Sequence, residues 1–507
     1  MTKQKVEEKI VAIENGLKPR MQIEGQVIQG MNILERMRHF EIPSVSIAMV
    51  NNGEVEWAKT YNLSSDDEIT MDTLIQAGSI SKPVAAVVAL KLVELGVLNL
   101  DQDVNEVLKT WKLADSEFTN TEKVTLRRLL SHTAGLTVHG FAGYPSSTSP
   151  QDIPTLSQVL SGESPANSDR VESERVPSTK CVYSGGGTEI MQKMMEDVTG
   201  RKLSDLANEL VFQPLGMTAS TYELILPSDE EKRLVAVGHM EEGEVVPGKW
   251  HVYPESAAAG LWTTPSDLAR FIIGIQNHSI LSEETTRQML TRQVNSEFGL
   301  GPMINEAGND FSHGGVNEGF NSQFIGFANA SPNAAQGAVI MINSSNGMAL
   351  IPEIIRGMAE VYDWPATKEF STDIKKVSAM DPSLFQNYIG KFEATLEGGE
   401  LVHLEVVTEH EKLFLLVPFP LPTSDPKKFE LLSESDSKFF TMEEEGFDLE
   451  FSPGNKNEIS LFGLKAHKIE EPKESAPYSQ AQLVSQFGLH QASKSASSSP
   501  DDQKRPS

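Results

Sequence analysis

Apolar residues recur along this chain with two different periods, and the changes between them outline its architecture. Residues 4–40 read as two helices broken near Gly16-Leu17-Lys18-Pro19. Residues 43–50 then alternate apolar and polar, Asn52-Gly53 is a type I′ turn signal, and residues 54–61 return. That pattern predicts a hairpin opening an antiparallel sheet. A nearly continuous apolar run follows at 84–98, with thirteen of fifteen positions apolar or Gly, which is too long for a strand and predicts a buried helix. Further helices are expected at 124–136, ended by Gly135, at 188–199, at 203–217, after the cap Thr264-Pro265-Ser266-Asp267, and at 348–363. Strand-like runs stand at 322–329 and 337–343. Sheet and helices together predict an α+β layer structure, with the polar stretch 140–180 as a wall or lid over a cleft.

Beyond about residue 375 the texture changes. Short alternating runs follow one another at 391–393, 401–407, 413–417, 429–432, 439–442, 447–451 and 459–462, spacing that suits a small β-barrel or sandwich. From 471 onward Ser, Gln, Lys and Pro predominate, and a disordered tail is expected, with Leu483, Val484, Phe487 and Leu489 as a weak apolar patch. The expected division is a hydrolase-like unit at 1–370, a barrel at 380–470 and a tail at 471–507.

Composition changes the picture in two respects. Acidic residues outnumber basic ones by 71 to 43, a net charge of −28, which argues against nucleic acid and anionic membranes as partners. A single cysteine, Cys181, excludes an internal disulfide. The first twenty residues lack the apolar core of a secretory signal, and no 18-residue apolar window exists, so the expected location is cytoplasmic with no membrane span.

The candidate chemistry centres on Ser79. Pro83 lacks an N–H and fits only the first turn of the apolar helix, so that helix begins close to Ser79. A hydroxyl there stands at the positive end of the helix dipole, and Lys82, three residues on, shares its face. Serine beside a buried lysine is a way to make a nucleophile, although Ser is equally a preferred N-cap. The same Ser-x-x-Lys spacing at Ser424/Lys427 and Ser435/Lys438 lies in turn-like stretches without a following helix. Two further islands suit hydrolysis. Tyr183 could share the base role with Lys82, and the pair His313-Gly314-Gly315 on an edge strand would let a substrate carbonyl approach the backbone. The N–H groups of Ser79 and Val316 could then form an oxyanion hole. Singly, Tyr183 also reads as a half-buried core tyrosine and His313 as a strand-end surface residue. His132 and His139 read as loop-holding residues, without metal-ligand spacing to a carboxylate or cysteine, and Cys181 as an inert thiol near the site. No G-x-S-x-G elbow exists for a Ser-His-Asp enzyme.

Taken in order, Ser79-Ile80-Ser81-Lys82, Tyr183-Ser184-Gly185 and His313-Gly314-Gly315 resemble the S-x-x-K, Y-x-N and K-T-G motifs of the class C β-lactamase-like serine hydrolases, a group of esterases, D-amino-acid peptidases and penicillin-binding-protein relatives. The stretches 129–136, Pro214-Leu215-Gly216-Met217 and Gly260-Leu261-Trp262-Thr263-Thr264 extend the resemblance over about residues 30–365. The segment from Tyr388 is similar to the lipocalin-like barrel that some of these hydrolases carry. The resemblance implies Ser79 as nucleophile, Lys82 and Tyr183 as bases, His313, Gly314 and Gly315 as substrate-binding residues, and neither metal nor cofactor. Gly185 in place of Asn and His313 in place of Lys depart from the pattern. Both losses disfavour efficient β-lactam hydrolysis and suit esters, amides or D-amino-acid peptides. The rival expectation is a non-catalytic sensor or scaffold that is acylated without turnover, its barrel serving partner binding or assembly into a homo-oligomer.

Overall fold

The structure is a computed structural model that describes residues 3–27, 30–64, 69–226, 235–328, 333–365, 370–395, 401–417, 426–442, 446–452, 454–461 and 463–470. The expected tail from 471 lies outside them.

Helix α1 (Lys3–Glu14) opens the chain. The hairpin follows as β1 (Ser44–Asn51) and β2 (Glu54–Asn62), and both turn residues take positive φ, Asn52 at 54° and Gly53 at 73°, as a type I′ turn requires. After α2 (Ser81–Glu94), α3 (Gly185–Thr199) and α4 (Pro265–Gln276) come β3 (Met303–Ile304), β4 (Asp310–Asn317), β5 (Phe320–Phe327), β6 (Gly337–Ile342) and α5 (Gly347–Val361). The six strands form one antiparallel sheet in the order β2-β1-β6-β5-β4-β3.

Every residue of β1 is buried, because both faces of the sheet are covered. Val45, Ile47 and Met49 point into a core shared with Ile10, Ile13, Leu350 and Ile354 of α1 and α5. Ala48 and Val50 point the other way, into a larger core with Val84, Val87 and Val88 of α2 and Leu268, Phe271 and Ile272 of α4. The alternation that predicted a strand therefore sorts its side chains between two helical layers.

Four expectations change in detail. The first helix and Ile33–His39 are separated by a strand, Met21–Ile23, which pairs parallel with Asp373–Lys375. The helix before Gly135 ends at Leu130; Gly135, at φ 70°, instead lets the chain pass Arg175, whose carbonyl oxygen would lie 2.4 Å from a β-carbon. The expected helix at 203–217 is broken by a wide π turn at Asn208–Phe212. The C-terminal strands number eight where seven runs were legible: β7 (Gly390–Thr395), β8 (Leu401–Glu409), β9 (Lys412–Val417), β10 (Lys427–Ser433), β11 (Lys438–Phe440), β12 (Asp448–Ser452), β13 (Asn455–Leu461) and β14 (Leu464–Ile469). They close as an antiparallel barrel in sequence order, with β14 pairing back onto β7. Its interior is filled by side chains, among them Phe392, Leu404, Leu415, Phe429 and Phe451. Arg20 donates to the Gly446 carbonyl at 2.8 Å and Lys375 pairs with Asp448 at 2.7 Å, tying the barrel to the larger unit.

Candidate active site

A tight turn and a strand meet at Ser79. Residues Gly78–Ile80 form a 3-10 turn that runs directly into α2, with Pro83 in the first helical turn. Gly78 has φ 52°, and a β-carbon there would stand 2.6 Å from the Val316 nitrogen of β4. Gly315 answers from the other side, since its β-carbon would lie 1.9 Å from the Ala77 carbonyl oxygen and 2.4 Å from Ser322 Oγ. These two glycines let the Ser79 turn lie against β4.

Strand β4 is free at this point. Its outer neighbour β3 reaches only Phe311 and Ser312, so His313 to Asn317 form an open edge. Asn317 and Phe320 close the hairpin over a two-residue turn. The antiparallel alternation then turns the Val316 N–H out of the ladder, on the side facing Ser79.

Lys82 is almost fully buried and reaches back along α2, donating to Ser79 Oγ at 3.0 Å and to the Ala258 carbonyl at 2.9 Å. Its Nζ lies 4.9 Å from the centre of the Tyr183 ring. Tyr183 is placed by the N-terminus of α3, where Ser184 caps the helix by accepting from the Gly187 N–H at 2.9 Å. Its ring lies 4.4 Å from that of His132, and the Tyr183, Phe298 and His313 rings stand about 6 Å apart. Ser79, Lys82, Tyr183, His313 and Val316, from three separate stretches of sequence, thus come together with Gly314 and Gly315.

The two histidines are both neutral by their surroundings. Burial, then the neighbouring Lys82 and His313, hold His132 well below the usual imidazole range. Its Nδ1 accepts the Ser184 N–H at 3.2 Å, so its proton is on Nε2. Holding this loop was its expected task; its place against the Tyr183 ring was not foreseen. His313 was expected on the surface if it had no function, yet it is buried. Desolvation and then Lys82 push its imidazole down to about 4.

The departure at Gly185 has a steric reason. A β-carbon there would meet the Phe141 ring at 2.9 Å, so the place of the family's Asn is closed by an aromatic side chain of the 140–180 stretch. None of Gly185, Gly186 and Gly187 has positive φ. They are helical, and at Gly185 and Gly186 space rather than backbone freedom calls for glycine.

Residues that the motifs do not mark hold the back of the site. Glu189 and Gln192 of α3 accept the N–H groups of Ala258 and Ala257 at 2.9 and 2.8 Å. These are orphan donors at the start of the short helix Ser256–Ala259. The Ala259 carbonyl takes Asn317 Nδ2 at 3.0 Å, and the same amide donates to Gln76 at 2.8 Å. Glu189 is fully buried, and desolvation with the nearby Glu255 raises its carboxyl well above the ordinary range. Cys181 touches Ser131 and Ser296 beside the site, and burial lifts its thiol to about 11, as befits an unreactive group. Among the described residues no group of three or more His, Cys, Asp or Glu side chains could hold a metal ion, and no helix is long and apolar enough to cross a membrane.

A family model described as Beta-lactamase matches residues 32–362. The chain belongs to the beta-lactamase family of serine hydrolases. It is 28% identical over 237 residues to penicillin-binding protein 4 of Amycolatopsis lactamdurans, covering 45% of this chain and 58% of that protein. It is 27% identical over 220 residues to an unguisins hydrolase of Aspergillus campestris, covering 41% and 38%. The matches therefore span little more than half of the first relative's length and well under half of the second's. The octameric penicillin-binding protein homologue from Pyrococcus abyssi has the same fold, with a TM-score of 0.56 at 20% identity over 92% of this chain and 100% of that one. The matched range contains all three motif stretches, and the closed barrel lies beyond its last matched residue.

Proposed function

We propose that this beta-lactamase-family chain hydrolyses ester or amide bonds through an acyl-enzyme on Ser79. The observation that carries the reading is Lys82 Nζ, buried and 3.0 Å from Ser79 Oγ, with the Tyr183 ring 4.9 Å from the same nitrogen. In the reaction Ser79 Oγ bonds to the substrate carbonyl carbon, and its proton passes to the Lys82–Tyr183 pair. The carbonyl oxygen, now anionic, takes hydrogen bonds from the N–H groups of Ser79 and Val316. The bond to the leaving group then breaks, and that group takes the proton from Tyr183. Water attacks the ester in the second half by the reverse proton path, freeing Ser79. His313, Gly314 and Gly315 border the bound substrate. A neutral His313 in place of the family's Lys and the Phe141 ring against Gly185 in place of its Asn supply neither a cation nor a side-chain amide at those two positions, which favours esters, amides and D-amino-acid peptides over β-lactams. The same reading divides the chain into a hydrolase unit at 1–370 and a barrel unit at 380–470.

Intact-protein mass after a fluorophosphonate, read with p-nitrophenyl butyrate turnover, tests this. Wild type gains one adduct and turns over, and Ser79→Ala does neither. An adduct-forming wild type that releases no product would make the chain an acylated sensor instead. Turnover that survives Ser79→Ala removes the proposal.

A further inference from the structure

His313 carries one ring proton, and the structure shows where it is. Nδ1 lies 2.6 Å from the carbonyl oxygen of Gly314. A carbonyl has no hydrogen to give, so Nδ1 is the donor. Burial and Lys82 keep the ring from taking a second proton near neutrality. Nε2 is therefore a bare lone pair. It is buried and has no hydrogen-bond partner among the described residues. A buried acceptor without a donor is costly.

Its place says which part of a substrate would meet it. Nε2 is the tip of the ring away from the β4 backbone, and the ring stands about 6 Å from those of Tyr183 and Phe298. Tyr183 is the group that hands a proton to the departing half of the substrate in the function proposed above, on which this step rests. His313 stands three residues before the oxyanion donor Val316 on the same strand edge. We infer that His313 Nε2 is the specificity element of the leaving-group subsite, an acceptor that takes substrates with an N–H or O–H donor there and rejects those with a free carboxylate. A carboxylate brings only lone pairs to a lone pair and would stay desolvated and unpaired. A carboxamide brings N–H groups and supplies the donor.

Two thioesters with one acyl group test this: benzoyl thioesters of mercaptoacetamide and of mercaptoacetate, with thiol release followed by a disulfide dye. Each rate is normalised to its hydroxide-catalysed hydrolysis. Wild type should favour the carboxamide in kcat/KM by on the order of tenfold or more. His313→Lys should collapse or reverse that ratio, because an ammonium is all donor. A wild-type ratio near one, in protein whose Ser79 is labelled by the fluorophosphonate, overturns the inference while leaving the hydrolase reading in place. So does an equal loss on both thioesters in His313→Lys, which would assign the ring to Tyr183 rather than to substrate. Absence of both labelling and thioester turnover would remove the hydrolase reading itself, and this inference with it.

Discussion

Gly315 and Gly314 are adjacent, yet the structure gives them opposite tolerances, and that difference tests the proposed oxyanion site. Neither has positive φ, so alanine suits the backbone at both, and only space decides. At Gly314 a β-carbon would meet just the end of the Gln323 side chain, at 3.0 Å, and that flexible group can swing aside. At Gly315 it would lie 1.9 Å from the Ala77 carbonyl oxygen, 2.4 Å from Ser322 Oγ and 2.9 Å from the Ala77 carbonyl carbon. The carbonyl is held by Ser322 Oγ at 2.8 Å and Ile80 N at 3.2 Å, so it cannot turn away without loosening the turn that carries Ser79. Relief to a tolerable contact needs a shift of about 1 Å between β4 and that turn, and a shift of that size typically costs about a hundredfold in rate. Losing one oxyanion donor altogether costs about 10² to 10³. Gly315→Ala should therefore lower kcat for p-nitrophenyl butyrate by about 10² to 10³, at a stability cost of about 1–3 kcal/mol for overpacking. Gly314→Ala, whose β-carbon meets only the movable end of Gln323 but also borders the proposed substrate, should lose about tenfold less rate than Gly315→Ala. Thermal unfolding checks that both variants are folded. The reasoning is refuted if folded Gly315→Ala keeps its rate, or if Gly314→Ala falls as far.

Glu189→Leu removes the acceptor for the Ala258 N–H and so frees the residue whose carbonyl anchors Lys82. It should lower kcat about tenfold or more with little change in KM, while Glu189→Gln, which keeps the acceptor and matches a protonated carboxyl, should restore the rate. Equal damage from both substitutions would show that a charge is needed there. Glu255 offers a test by pH. Both its oxygens are buried without hydrogen-bond partners among the described residues, and burial lifts its carboxyl to about 7 from 4.5. A raised carboxyl stabilises the fold fully below pH 4.5 and loses that contribution as pH rises through 7. Relative to wild type, Glu255→Gln should therefore gain about 3 kcal/mol between pH 4.5 and 8, read from denaturant midpoints. His313 acts with the opposite sign, since a lowered imidazole costs stability as pH falls from 6.5 through 4. Wild type alone would hide both effects, whereas the difference between the two proteins cancels the His313 part. A pH-independent difference would contradict the burial argument for Glu255.

Local pattern carried much of this fold. Alternation at 43–50, with Asn52-Gly53 after it, marks the hairpin because side-chain period and turn chemistry are both local properties. Pro83 fixes where α2 begins, and three-residue spacing then places Lys82 over Ser79. The closing barrel strand, Leu464–Ile469, escaped notice because Ala466 is its one buried residue, and a single small apolar side chain makes no alternation. The need for glycine at 185 and 186 was not legible, since crowding by Phe141 and Val171 is what excludes side chains there. Crowding depends on segments far away in sequence. Glu189 and Gln192 were likewise illegible, since their partners are the main-chain N–H groups of two alanines, and a backbone donor leaves no mark in a sequence.

That backbone contact bears on how the site works. A carboxylate set directly against Lys82 would favour the ammonium form, which cannot take a proton from Ser79. Among the described residues no carboxylate pairs with Lys82; its nitrogen meets a hydroxyl and a carbonyl. Glu189 lies one peptide further off, and its effect on position arrives through the Ala258 N–H and leaves through the Ala258 C=O. The imidazoles of His132 and His313, held neutral by burial, add no second cation beside the lysine. A buried lysine is thus fixed in geometry by groups that carry no net charge. This is the combination the proposed lysine base requires: a defined direction toward the hydroxyl, without a counter-ion that would hold it in the ammonium form.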